Sequence, residues 1–196
     1  MKKVAEAHPQ EFIKYTRGIK ELCNLFTTSC KYAKPDSWRV WQEELYSLVT
    51  TQEADDRKII WYADPLGAGG KTTFMRYMVS NPEYRAIALS GKIADMAYSF
   101  NGHRIVFFDL TRTQAEHMDH IYSFAETLKG GVLYSTKYEP VMKVFAPPWI
   151  VVFANICPDM YKWSQDRYVV NHLSEAPPFT PVTTKWVFKD GKFKEE

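Results

Sequence analysis

The stretch Trp61 to Phe74, WYADPLGAGGKTTF, decides how the chain is read. An apolar run ends at Ala63, Gly67, Gly69 and Gly70 follow closely, and Lys71, Thr72 and Thr73 open a segment with helical spacing. A strand, a glycine-rich turn and a helix in that order make a cradle for phosphate. Glycines let backbone amides turn inward, a lysine reaches the terminal phosphates, and a hydroxyl at the helix start suits Mg²⁺. The strict pattern wants glycine six places before the lysine, and Pro65 stands there instead. The loop alone is therefore a partial match, and its neighbours must support it.

Outward from this loop the chain repeats one design. KIIWYA, YRAIALS, RIVFFDL and WIVVFAN are short, nearly continuous apolar runs, as expected of strands covered on both faces. KTTFMRYMVSN and TQAEHMDHIYSFAETLKGG have helical periodicity and supply the covering layers. These runs predict an α/β protein with a mainly parallel central sheet flanked by helices. Ligands of such sheets sit at the carboxyl ends of the strands, so the polar residues there carry the chemistry. Asp109 closes RIVFFD, where a carboxylate is costly to bury unless it pairs or holds a cation such as nucleotide-bound Mg²⁺. Asn155 follows WIVVFA and can hydrogen-bond a γ-phosphate or an attacking water. Leu110 comes after Asp109 where many ATPases carry a second acid, which leaves Glu116 and Glu126 in the next helix as candidates for water activation, although both suit a solvated helix surface. Further on, Arg167 can stabilise phosphoryl-transfer charge in a neighbouring subunit or form an ordinary surface pair.

The first fifty residues differ. QEFIKYTRGIKELCNLF and KPDSWRVWQEELYSLVT both have apolar stripes at helical spacing, the second through Trp38, Trp41, Leu45 and Leu48, with Asp36 or Ser37 as its cap. They predict a helix pair over 1–50, joined by a polar link to a main domain over 51–196. Between the helical segments and WIVVFAN, LKGGVLYSTKYEPVMKVFA alternates around TKYEP and reads as a hairpin, with lysines beside Tyr134 and Tyr138 that suit a nucleic-acid strand or simple solubility.

Composition bounds the rest. Hydrophobic residues make up 45% and aromatics 15% of 196 residues, which suits a globular fold, and a net charge of +2 excludes a wholly basic nucleic-acid coat. Three cysteines without CxxC spacing argue for a reducing setting and against a zinc site or disulfide framework. His117 and His120, in HMDH, have no evident third ligand and read as helix surface. No apolar run reaches membrane-spanning length and the opening residues do not resemble a signal peptide, so a soluble intracellular protein without membrane association is expected.

Taken in order, VAEAHPQEFIKYTRGIKEL, GGKTT, VFFDLTRT, LKGGVLYSTKYEP, VVFAN and SQDRYVV resemble the superfamily 3 helicase region of Rep, the replication initiator of circular single-stranded DNA viruses, particularly of nanovirus and alphasatellite type. The resemblance implies a P-loop, AAA+-like ATPase that binds ATP and Mg²⁺ and pulls single-stranded DNA through a homo-hexamer in the host nucleus. The helices of 1–50 would serve oligomerisation. Lys71, Thr72, Asp109 and Asn155 would come from one subunit and Arg167 from its neighbour, and Lys137, helped by Lys143, would grip the DNA. Complete Reps also nick DNA, but paired metal-binding histidines are not found, so nicking is not expected of this chain. A P-loop small-molecule kinase is a second reading, lacking an evident arginine-rich lid. A nucleotide-gated DNA-binding ring without efficient hydrolysis is a third.

Overall fold

The computed structural model describes residues 6–15, 18, 30–110, 118–138 and 140–173, and the backbone of 186–189 and 192–195. Helix α1 spans Val40–Thr51, α2 Lys71–Ser80, α3 Ile93–Ser99 and α4 Asp119–Lys129. Strands β1 (Ile59–Ala63), β2 (Ala86–Ala88), β3 (Ile105–Leu110), β6 (Trp149–Ala154) and β7 (Tyr168–His172) form one sheet, with β4 (Val132–Ser135) and β5 (Val141–Val144) as a separate antiparallel pair. A third pair joins β8 (Trp186–Lys189) to β9 (Lys192–Glu195).

The five-stranded sheet has the order β2-β3-β6-β1-β7, and every neighbouring pair in it is parallel. Its central strands are apolar throughout because both faces are covered. On one face, Ile60 and Tyr62 of β1, Phe107 of β3 and Phe153 of β6 pack with Leu45 and Val49 of α1 and Phe74 and Met78 of α2. On the other, Trp61, Phe108 and Val152 meet Met96 of α3 and Phe124 and Leu128 of α4. Alternate residues of the same strand thus feed two cores, the consequence of a period of two in the strand side chains.

The four apolar runs of the sequence are β1, β2, β3 and β6, and the expected hairpin is β4–β5. The fifth strand, β7, was not anticipated: only one face of an edge strand needs apolar residues, and Tyr168–His172 is intermediate or exposed throughout. Helix α1 begins at Val40 rather than after Asp36 or Ser37; the side-chain oxygen of Gln42 takes the Arg39 N–H at 2.9 Å and closes the helix start. Its apolar stripe is as expected, but it lies on the sheet itself, with Leu45 1% and Val49 0% exposed. A domain boundary at residue 50 would fall inside this helix. Of the preceding segment, residues 9–15 are helical and largely exposed. Thr111, Arg112, Thr113, Glu116 and His117 lie outside the described residues.

Candidate phosphate-binding site

Because β6 lies between β1 and β3, three carboxyl ends meet at one edge of the sheet. Ala63 of β1 is level with Ala154 of β6, which is level with Leu110 of β3. The glycine-rich loop leaves β1, Asn155 leaves β6, and Asp109 stands one residue before the end of β3. Thr72 Oγ1, at the start of α2, lies 3.4 Å from Asp109 Oδ2. Two oxygens bound side by side to an octahedral Mg²⁺ at 2.0–2.1 Å stand about 2.9 Å apart, so a small movement lets this pair share one ion. The donor set is one hydroxyl and one carboxylate, which suits a magnesium ion that takes its other ligands from phosphate and water. Among the described residues no group of three or more His, Cys, Asp and Glu could hold a metal by itself.

The loop is built from both sides. Behind it stands the first turn of α1: Arg39 Nη2 donates to the Ala68 carbonyl at 3.0 Å, Trp41 Nε1 to that of Gly69 at 3.1 Å, and Gln42 Nε2 to that of Gly70 at 3.0 Å. In a trans peptide the carbonyl and the following amide point to opposite sides. Holding those three carbonyls toward α1 therefore turns the N–H groups of Gly69, Gly70 and Lys71 to the opposite side. That is the arrangement of an anion nest at a helix start. Gly70 is required here twice over, by its φ of +86° and because an added Cβ would come within 2.9 Å of Gln42 Nε2.

Inside the loop lies Asp64, 1% exposed. Its Oδ1 accepts the Gly67 N–H at 3.0 Å, and its Oδ2 accepts the Gly69 N–H at 2.9 Å and the Lys71 ammonium at 2.7 Å. Burial alone pushes this carboxyl group up, but Lys71 and the two amides more than offset it and hold its pKa below the ordinary value. An added Cβ on Gly69 would meet Asp64 Oδ2 at 2.6 Å, so the carboxylate fits only against glycine. Residues 68–73 line a cleft of about 260 Å³ in front of the loop, with Thr72 and Thr73 exposed to it and Lys71 buried. Asn155 Nδ2 donates to the Asp64 carbonyl at 2.7 Å, and thus ties the end of β6 to the first residue of the loop.

The remaining expected residues lie elsewhere. Arg167 sits just before β7, whose Tyr168 pairs with Ile59, and so belongs to the amino edge of the sheet, opposite Lys71 and Asp109. Its side chain is 15% exposed; Nη2 lies 3.7 Å from Glu126, and Nη1 is buried without a hydrogen-bond partner. Glu126 shares that location, so within one chain it does not reach the loop. His120 is on α4, partly exposed. Lys137, near the hairpin tip, pairs with Asp95 of α3 and lies near the rings of Tyr98 and Tyr138. Lys143 differs from its expected part: its ammonium donates to the carbonyls of Ala97, Tyr98 and Phe100 and to Asn101 Oδ1, closing the end of α3. Sequence reasoning missed Arg39, Trp41 and Gln42, because nothing in their spacing brings them onto a loop 28 to 29 residues away, and it missed Asp64, whose partners are 3 to 7 residues off but face it only once the loop turns back.

No family profile matches the chain. Among curated proteins, it is 31% identical to the master replication protein of Faba bean necrotic yellows virus over 166 residues, 77% of this chain and 56% of that protein. It is 33% identical to the master replication protein of Subterranean clover stunt virus over 78% of this chain and 57% of that protein. It is 37% identical to Para-Rep C1 of Faba bean necrotic yellows C11 alphasatellite over 68% of this chain and 47% of that protein. The chain thus spans about half the length of the relatives it matches.

Proposed function

The chain belongs to the replication proteins of nanoviruses and their alphasatellites, and from that premise we propose that it is an ATP-hydrolysing helicase motor that moves on single-stranded DNA during rolling-circle replication of viral DNA in the host nucleus. One observation carries this reading. The glycine-rich loop, Thr72 and Asp109 come to one edge of a parallel sheet, with Thr72 Oγ1 3.4 Å from Asp109 Oδ2, in front of a loop whose amides are turned by α1. Such a site takes the phosphates of a nucleotide.

In this reading the amides of Gly69, Gly70 and Lys71 and the Lys71 ammonium bind and orient the phosphates, with Gly67 giving the loop its turn. Thr72 and Asp109 would hold Mg²⁺, which supplies charge neutralisation on the phosphate oxygens. Thr73, exposed at the start of α2, borders the phosphate path. Asn155, fixed to the first carbonyl of the loop, links the loop to the strand between the two metal-side elements. Arg167 acts only across a subunit boundary in a homo-hexamer, and to do so its guanidinium leaves Glu126. Lys137 presents charge to the DNA backbone beside two tyrosine rings suited to stacking. No described helix is long and apolar enough to cross a membrane.

The test is phosphate release from ATP with and without single-stranded DNA, at protein concentrations spanning ring assembly, for the natural chain and for Arg167→Ala. DNA-stimulated release by the natural chain, with ATP binding retained and turnover lost in the variant, supports a shared-site motor. ATP binding without release under every condition withdraws the motor and favours a nucleotide-gated DNA-binding ring. The observation favouring that second reading is Leu110, whose buried side chain, 7% exposed, takes the place after Asp109.

A further inference from the structure

Asp64 has no part in the reading above, yet it makes more use of the loop than any other side chain. Both of its oxygens are engaged, by two loop amides and by the lysine proposed to bind phosphate. A carboxylate and a phosphate oxygen are alike to these donors: each is an anionic acceptor at hydrogen-bond distance. They therefore compete for the Gly69 N–H and the Lys71 ammonium. The amides of Gly70 and Lys71, by contrast, are turned to the same side and lie beyond the two amides on Asp64.

We propose that Asp64 is the internal anion of the loop and a determinant of nucleotide affinity: the nucleotide phosphates bind by drawing Lys71, and with it the Gly69 amide, away from Asp64. This rests on the nucleotide-binding reading. The exchange has two parts. Phosphate first meets the free amides at the start of α2. Lys71 then leaves Asp64, which keeps the Gly67 amide and remains buried. The second step sets the affinity, because a buried ion pair is given up while another forms. The same contact holds the loop in shape from within while α1 holds it from behind, so Asp64 stabilises the protein and weakens its hold on nucleotide.

The experiment is a double-mutant cycle on ADP and ATP affinity, measured with Mg²⁺ by calorimetry, for the natural chain, Asp64→Asn, Lys71→Ala and the double variant. Asp64→Asn is expected to bind about tenfold more tightly, the worth of one charge-assisted hydrogen bond. It is also expected to melt at lower temperature without ligand. In the Lys71→Ala background, the same change should gain nothing. A gain that persists without Lys71 would show a through-space charge effect and overturn the exchange; an affinity unchanged or weakened by Asp64→Asn would make Asp64 a plain structural staple and overturn it too. If Asp64→Asn does not fold, the side-chain ¹⁵N signal of Lys71 in the natural chain decides: it moves on saturation with ADP if the lysine changes partner, and stays if it does not. Failure of all four proteins to bind nucleotide removes the functional reading and this inference with it, whereas binding by the natural chain with no Asp64 effect removes this inference alone.

Discussion

Replacing Gln42 with alanine removes two hydrogen bonds made by the two atoms of one side-chain amide. Gln42 is 5% exposed; its oxygen takes the Arg39 N–H at 2.9 Å and its amide donates to the Gly70 carbonyl at 3.0 Å. The Arg39 amide lies beside an exposed residue and can find water, so its loss costs about 0.5–1 kcal/mol, as for a weakened helix cap. The Gly70 carbonyl keeps the Phe74 N–H at 3.1 Å, and its lost partner costs about 1 kcal/mol. With the small cavity added, the sum is about 2 kcal/mol, or roughly 4–8 °C in Tm for a chain of this size. Gln42→Glu keeps the acceptor for Arg39 but sets a carboxylate oxygen against the Gly70 carbonyl, and is expected to cost at least as much. The peptide between Gly70 and Lys71 loses its hold in both variants, so ADP affinity is expected to fall several-fold. Urea unfolding and calorimetry on the same samples measure the two effects. Stability within about 0.5 kcal/mol of the natural chain, together with unchanged ADP affinity, would refute the claim that α1 orients the loop.

Lys71→Ala is expected to lose nucleotide hydrolysis and also about 3 kcal/mol of stability, because it strands a carboxylate that is 1% exposed; urea unfolding separates the second effect from the first. Lys143→Ala should lower stability by about 2 kcal/mol through the freed carbonyls at the end of α3, whereas Lys137→Ala should leave stability nearly unchanged and weaken single-stranded DNA binding, as read by fluorescence anisotropy at two salt concentrations. Lys129, 5% exposed, donates to the carbonyls of Asp55 and Pro148, and burial lowers its pKa from 10.5 to about 8. The unfolded chain then binds more protons than the folded one between those values, so this lysine makes stability rise as pH increases from about 8 towards 10. Lys129→Met should flatten that rise in unfolding curves taken across the range.

The sheet was legible because burial on two faces leaves a mark: IIWYA, IVFFDL and WIVVFA are apolar but for Asp109 near the carboxyl end of the second, and each is a central strand. The loop was legible because its glycines and lysine answer a local need within eleven residues of chain. Asp64 was not, since an acid ahead of a turn is ordinary in sequence and acquires meaning only when Gly67, Gly69 and Lys71 fold back on it. Lys143 looked like a free charge on a hairpin strand. Only the approach of α3 to that hairpin gives its ammonium four acceptors.

The helix thought separate from the site has the largest consequence for mechanism. Its Leu45 and Val49 are locked in the core while Arg39, Trp41 and Gln42 reach the loop. One rigid element therefore carries the amides of the loop at its first turn and packs on the sheet along the next two. A rotation of α1 cannot leave those carbonyls in place, and turning a carbonyl turns the amide behind it. In the proposed motor, a force applied to the chain ahead of Val40 would reach the loop amides through three hydrogen bonds.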